Sequence, residues 1–124
     1  MIYIKINSKP IAKARPRFSF KAKTTYTPTK TVKFERLVSF EARKLVQFPS
    51  TEAVSIKIKF NFIKAKSNKK KFHTIKPDID NLIKGVLDGL NKIAFKDDCQ
   101  VIKMDIEKSY ADQESVEIWI DEVI

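Results

Sequence analysis

A small α/β domain (α+β-like) is the fold this sequence predicts, with two helices packed on one small mixed sheet in the order β-α-β-α-β-β. Three observations carry the prediction. Residues 54–62 alternate apolar and polar side chains with a period of two, the mark of a strand with one buried face. Two other stretches, after Thr29 and after Asp78, place apolar residues at helical spacing. The chain has 124 residues, is 43% hydrophobic and holds only two glycines, so residues 1–124 suffice for a single core but not for two.

Ile2, Ile4 and Ile6 alternate with Tyr3 and Lys5, giving a first strand that ends at Asn7-Ser8. From Lys9 to Pro28 the pattern dissolves into a long basic loop or irregular hairpin. It carries Lys13, Arg15, Arg17, Lys21 and Lys23, interleaved with Phe18, Phe20 and Tyr26. Such a stretch reads either as a solvated linker or as a surface that neutralises phosphates and stacks on bases. Loops of this length are uncommon in a small domain unless they work, which favours the second reading.

Thr29 or Thr31 caps a helix running to about Gln47, with Phe34, Leu37, Val38, Leu45 and Phe48 on one face and Lys33, Arg36, Arg43 and Lys44 on another. Glu41 falls inside the apolar face. An ion pair with a nearby Arg or Lys explains it, as does a helix edge less buried than the wheel suggests. Pro49 and Ser50 punctuate the end, and Val54, Ile56, Ile58, Phe60 and Phe62 then form the clearest strand.

Residues 64–76 hold Lys66, Lys69, Lys70, Lys71, Lys76 and the only histidine, His73. The tract is either a lysine-rich stretch in solvent or an arm that meets a polyanion. His73 reads as a surface residue, because no second His or Cys stands beside it as a metal partner. Pro77 then biases Lys76 away from helical geometry and leaves Asp78 as the N-cap of the second helix. Ile79, Leu82, Ile83, Val86, Leu87, Leu90 and Ile93 form its apolar stripe, with Asp80, Lys84, Asp88 and Asn91 opposite. Gly85 and Gly89 on the flank of that stripe weaken the helix relative to Ala. Close packing against another segment or subunit would compensate.

Ile102, Met104 and Ile106 alternate as a further strand. A turn near Ala111-Asp112-Gln113 leads to Val116, Ile118 and Ile120, a last strand antiparallel to its neighbour. Trp119 is out of phase with that set and covers the second face of the sheet or a dimer contact. Asp105, Glu107, Glu117, Asp121 and Glu122 make this end acidic, which places nucleic acid on the other side.

A formal charge of +10 is the footprint of a polyanion binder, and an acidic small substrate would not need so many spread cations. On charge alone, ribosomal and membrane-surface roles stay open. The single cysteine, Cys99, excludes an intramolecular disulfide and fits a reducing compartment. It reads as a small packed apolar residue rather than a nucleophile. The N-terminus lacks the apolar core of a signal peptide and no run reaches membrane-spanning length, so a soluble, cytoplasmic protein is expected.

The chemistry concentrates in Lys76-Pro77-Asp78-Ile79-Asp80-Asn81-Leu82-Ile83-Lys84, answered later by Asp97-Asp98. Asp78 and Asp80 are explicable as first-turn residues that complement the helix dipole, and Lys84 as an ordinary i,i+4 partner of Asp80. The Asp97-Asp98 pair changes the balance, because after a short connection it can fold back towards the helix N-terminus. Oxygen donors converging without His or Cys describe a site for Mg²⁺, or Mn²⁺, in preference to zinc.

The strings KPDIDNLIKGVLDGLN and KDDCQVIKMDIEKSY resemble the signature region of the RusA family of Holliday junction resolvases, through Asp78, Asp80, Asn81, Lys84, Asp97, Asp98, Gln100 and Val101. KPIAKARPRF resembles that family's N-terminal basic segment through Lys13, Arg15, Pro16 and Arg17. The resemblance implies a RusA-like fold and a crossover junction endodeoxyribonuclease. Its substrate would be a four-way DNA junction, cut by a homodimer whose paired, symmetric nicks leave 5′-phosphate and 3′-hydroxyl ends. The expected catalytic set is Asp78, Asp80, Asp98 and Lys84, with metal on Asp78, Asp80 and either Asp98, which is favoured, or Asp97. DNA contacts are expected at Lys13, Arg15, Arg17, Lys21, Lys23, Lys69, Lys70, Lys71 and Lys76. The rival readings are a non-catalytic basic nucleic-acid-binding module and a metal nuclease acting on other branched DNA.

Overall fold

The alternation over residues 54–62 becomes an inner strand of the main sheet in the computed structural model. The structure describes residues 1–14, 17–26 and 28–124, with Arg17 described through its backbone alone. Strands β1 (Ile2–Ile6), β4 (Ala53–Phe62), β5 (Val101–Tyr110) and β6 (Ser115–Val123) form a sheet in the order β1-β6-β4-β5. Strand β6 is antiparallel to β1 and β4, whereas β5 runs parallel to β4. Two parallel neighbours need a crossover, and helix α2 (Ile79–Leu90) provides it. The last strand is therefore antiparallel to its neighbours as expected, but those neighbours are β4 and β1. The turn after Tyr110 carries the chain past the end of β4 instead of folding β6 back on β5.

The expected element order holds, with one addition. Part of the basic N-terminal stretch forms a separate two-stranded antiparallel hairpin, β2 (Arg17–Ser19) with β3 (Thr24–Tyr26), ahead of helix α1 (Thr29–Arg43). One face of the main sheet buries Ile4, Ile6, Ile56, Ile58, Phe60, Val116 and Ile118 beneath the two helices, which contribute Phe34, Val38, Leu82, Val86 and Leu90. Those are the alternating and helical sets read from sequence.

The helices approach closely at Gly89. A Cβ there would lie 2.6 Å from Val38 Cβ and 3.0 Å from Glu35 O, so only glycine fits, and the compensating neighbour is α1 of the same chain. Ser39 Oγ adds a hydrogen bond to Gly89 O at 2.6 Å.

Helix α1 stops at Arg43, about a turn before the expected Gln47. The Leu45 and Val46 N–H groups both turn to Ala42 O, and Pro49 lies just beyond. Leu45 and Phe48 consequently leave the core face and are 56% and 76% exposed. Neither threonine caps the helix: Pro28 occupies the N-cap position, and the buried Thr31 hydroxyl accepts the Ala14 N–H at 3.1 Å. Glu41 does form the expected ion pair, with Lys44 at 3.2 Å.

Trp119 covers the second sheet face, 5.1 Å from the Tyr3 ring and beneath Lys57 Nζ at 5.3 Å. Of the acidic residues expected to dominate that end, Asp105, Glu107 and Glu117 stand opposite lysines, whereas Asp121 and Glu122 stand opposite Ser55 and Val54. Glu117 stands in register with Lys5 and Lys59, and Asp105 with Lys57. Asn61, buried in this face, donates to Ser115 Oγ and Glu117 Oε2 at 3.0 Å each, and accepts from Ser109 Oγ at 2.8 Å. Among the described residues, no helix is long and apolar enough to cross a membrane.

Candidate metal and nucleic-acid site

Asp78 takes the expected N-cap position of α2, with an extended backbone (φ −73°, ψ 145°), yet its side chain makes no capping hydrogen bond. Its Oδ2 meets Lys76 Nζ at 3.0 Å. Asp80 follows in the first turn, exposed at the positive end of the helix. Lys84 is exposed one turn on, and among the described residues the two form no ion pair.

The approach to this helix is fixed from below. Lys108 Nζ donates to Ile75 O at 2.8 Å and to Pro77 O at 2.9 Å, so the segment before Asp78 is tied to the far end of β5. His73 is buried, contrary to its reading as a surface residue. Its ring stacks on Phe62 at 4.1 Å and lies 5.2 Å from Tyr110, anchoring the lysine arm on the sheet. Burial, and then the charge of Lys108, hold its pKa below the ordinary histidine value. Neither role is visible in the sequence, because a lone histidine in a lysine tract carries no periodicity. On that arm Lys69, Lys70 and Lys71 are exposed, and the Lys70 N–H bonds to Asn68 Oδ1 at 2.9 Å.

The second acidic group sits on a single 3₁₀ turn, Asp98–Gln100, which opens β5. Asp97 Oδ1 accepts the Cys99 N–H at 3.2 Å, and Gln100 Oε1 accepts the Asp97 N–H at 2.8 Å. Gln100 Nε2 then donates to Ser50 O and Glu52 O at 2.9 and 2.8 Å, clamping the turn to the start of β4. Asp97 is thereby a turn-building residue, while Asp98 receives no backbone N–H bond of that capping kind. The Cys99 N–H lowers the pKa of Asp97. Asp98 is raised, first by its hydrogen bond with the Asp97 side chain and further by the charges of Asp97 and Asp88. Cys99 is exposed rather than packed, and the neighbouring Asp97 charge raises its thiol pKa, which opposes a nucleophilic role.

The two acidic groups lie at opposite ends of the domain. Asp98 is beside the start of β5 and close enough to feel Asp88, near the C-terminus of α2. Asp78 is beside Lys108, near the end of the same strand. Val101 and Lys108 are seven residues apart along β5, which at strand rise is roughly 20 Å. The expected return of Asp97-Asp98 to the helix N-terminus therefore does not happen within one chain. A helix that links parallel strands has to run against them, so its N-terminus and the start of the next strand fall at opposite ends. Among the described residues no three His, Cys, Asp or Glu side chains gather closely enough to hold a metal.

Of the other basic residues, Lys13 is engaged by carboxylates. Its Nζ contacts Asp88 and lies 3.1 Å from Glu35, joining the two helices, and its pKa is raised chiefly by the Asp88 bond. Its N–H also bonds Asn81 O at 2.9 Å. Lys21 and Lys23 are exposed at the tip of the β2–β3 hairpin, which also exposes Phe18, Phe20 and Tyr26. Phe18 and Phe20 meet edge to face at 5.1 Å. Arg15 and the Arg17 side chain lie outside the described residues. Sequence reading missed Lys108 and the Glu35–Lys13–Asp88 bridge; spacing says nothing about such partners, which come from different elements.

A family profile described as "Endodeoxyribonuclease RusA" matches residues 7–121. The chain is also similar to "Uncharacterized protein YqaN" of Bacillus subtilis (strain 168), 32% identical over 133 residues covering 95% of this chain and 94% of that protein.

Proposed function

Because the chain belongs to the RusA family of endodeoxyribonucleases, we propose that it resolves four-way DNA junctions, as a homodimer that uses Mg²⁺ held by Asp78, Asp80 and Asp98. The observation that carries this reading is the state of the three carboxylates. Asp78 stands at a cap position without capping, Asp80 is exposed beside it, and Asp98 is the member of its pair left out of the turn's backbone capping bonds. A donor set made of carboxylates, without His or Cys, suits a hard divalent cation, with Mn²⁺ as a possible substitute.

Among the described residues of one chain no three such side chains gather, so in this reading Asp98 comes from a second copy. A two-fold pair then contains two such sites, which suits a substrate that needs two nicks. The bound cation supplies activation of water and neutralisation of charge on the scissile phosphate. Asp78 and Asp80 position the phosphate side of the site at the positive end of α2. Lys84, one turn along the same exposed face, contributes positive charge as the phosphate becomes more anionic. Attack of water at phosphorus with loss of the 3′ oxygen leaves 5′-phosphate and 3′-hydroxyl ends. Lys76, the arm carrying Lys69, Lys70 and Lys71, and the hairpin with Lys21 and Lys23 hold the DNA backbone around it.

The test compares junction, fork and linear duplex in Mg²⁺, with and without chelator, for the native chain and Asp80→Asn. Paired junction nicks that vanish in chelator and in the variant, with junction binding kept, support the reading. Equal cutting of forks would widen the substrate to branched DNA generally. Binding without cutting under any divalent cation would leave a non-catalytic module.

A further inference from the structure

Beside the entrance to α2, the lysine arm and the ends of β4 and β5 enclose a cavity of about 210 Å³. Phe62, His73 and Tyr110 line it, together with Lys76 and Pro77, the two residues before Asp78. Hydrogen bonds hold this frame. Asn68 Nδ2 donates to Tyr110 Oη at 2.8 Å, and the Ala111 N–H to Phe62 O at 2.8 Å. Lys108 fixes Ile75 O and Pro77 O from the sheet side. One atom of the frame is unaccounted for. His73 is 8% exposed, and its Nδ1 is buried without a hydrogen-bond partner among the described residues. A buried polar atom left unpaired lowers stability unless something meets it. Stacking on Phe62 needs a ring but not that nitrogen.

The lining decides what can meet it. Ile63 and Ile75 add to the apolar wall made by Phe62, Pro77 and Tyr110, a poor environment for a phosphate. Burial and the charge of Lys108 keep the His73 ring neutral at neutral pH, so it is no phosphate-binding cation either. The polar groups differ in kind: Glu114 only accepts, Lys9 and Lys76 only donate, and His73 offers one nitrogen. Such a lining suits a flat ligand with apolar faces and an edge that both donates and accepts, which is a nucleobase. The cavity is smaller than the roughly 300–1,000 Å³ that hold drug-sized molecules, so it admits one ring system and not a larger ligand.

We propose that this cavity receives one unpaired base from the branch point and reads its edge, making His73 and Glu114 determinants of where the strand is cut. The placement rests on the nuclease reading. Lys76 and Pro77 join the cavity to Asp78, so the captured base and the scissile phosphate belong to the same or neighbouring nucleotides. A base has to leave its stack to enter, which costs least where pairing is already interrupted, as at the centre of a junction. The same cost turns intact duplex away.

The test measures binding of the full chain in chelator, so that nothing is cut, to a four-way junction whose nucleotides beside the crossover are changed one at a time. At one position an abasic nucleotide should bind about tenfold more weakly than a base, and a mispaired base about tenfold more tightly than a paired one. The four bases should differ there by about tenfold as well. Simple flexibility at the centre would make the abasic and the mispaired junctions both bind more tightly, and that result would overturn the proposal. So would no effect at any position. His73→Phe, which keeps a ring against Phe62, should reduce the preference among the four bases about fivefold. Glu114→Gln should change which base is preferred, since an amide donates as well as accepts. Thermal melting checks that both variants fold. A preference unchanged in both folded variants would mean that the cavity holds only water, and the proposal fails. Base preference in a chain that cuts no DNA in Mg²⁺ or Mn²⁺ would keep the cavity and remove the nuclease reading. Paired nicking with no base preference would do the reverse.

Discussion

Gln100 holds the Asp97 backbone N–H at 2.8 Å while its amide nitrogen reaches two carbonyls of the segment before β4. Two adjacent aspartates consequently have different work: one shapes the turn, and the next is presented by it. Asp98→Asn should leave stability within about 0.5 kcal/mol of native and abolish junction cutting. Asp97→Ala should lower stability through loss of the cap, while leaving cutting in place. Urea unfolding beside a cleavage assay separates the two, and the reverse pattern would exchange their roles.

Gly89→Ala should destabilise the fold by about 1–3 kcal/mol, despite alanine's better helix propensity. The new methyl would meet Val38 Cβ at 2.6 Å, and the helices have to part to admit it. Urea or thermal unfolding reads this directly; a stabilised variant would show that the helix contact yields easily.

His73 gives a pH dependence with a defined sign. Its folded pKa lies below the unfolded value of 6.5, so the unfolded chain binds the extra proton first. Its contribution to stability is fully present above pH 6.5 and is lost as pH falls through that value towards the lower folded pKa. Thermal unfolding between pH 8 and 5 should show the loss. His73→Phe, which keeps a ring against Phe62, should flatten that part of the profile, and an unchanged profile would assign it to other groups.

The lysines divide by what surrounds them. Lys70→Ala should weaken junction binding and reduce the slope of log affinity against log salt by about 0.9, with stability unchanged. Lys13→Ala should instead lower stability, because Glu35 and Asp88 lose the cation between the two helices. Binding titrations at several salt concentrations, with urea unfolding alongside, distinguish them.

The fold was legible wherever one face of an element is buried, because burial imposes a period. The Val54–Phe62 alternation and the Leu82, Val86, Leu90 stripe are direct records of the core. Strand pairing left no such record: nothing in the alternation of Val116, Ile118 and Ile120 says that they pair with β4 and β1 and not with β5. The carboxylates could be found by type and spacing, yet their separation could not, since it follows from the parallel β4–α2–β5 crossover. Leu45 and Phe48 misled because the wheel extends a helix that the backbone ends at Arg43. His73 and Lys108 act through contacts between distant segments, which composition does not encode.

The most direct measurement mixes two variants that are each inactive, Asp80→Asn and Asp98→Asn, after subunit exchange, and scores nicking of a four-way junction in Mg²⁺. A site that takes Asp78 and Asp80 from one chain and Asp98 from its partner is intact once in each mixed dimer, so single nicks should return. A mixture as inactive as its components, with exchange verified, would contradict a site shared between two copies.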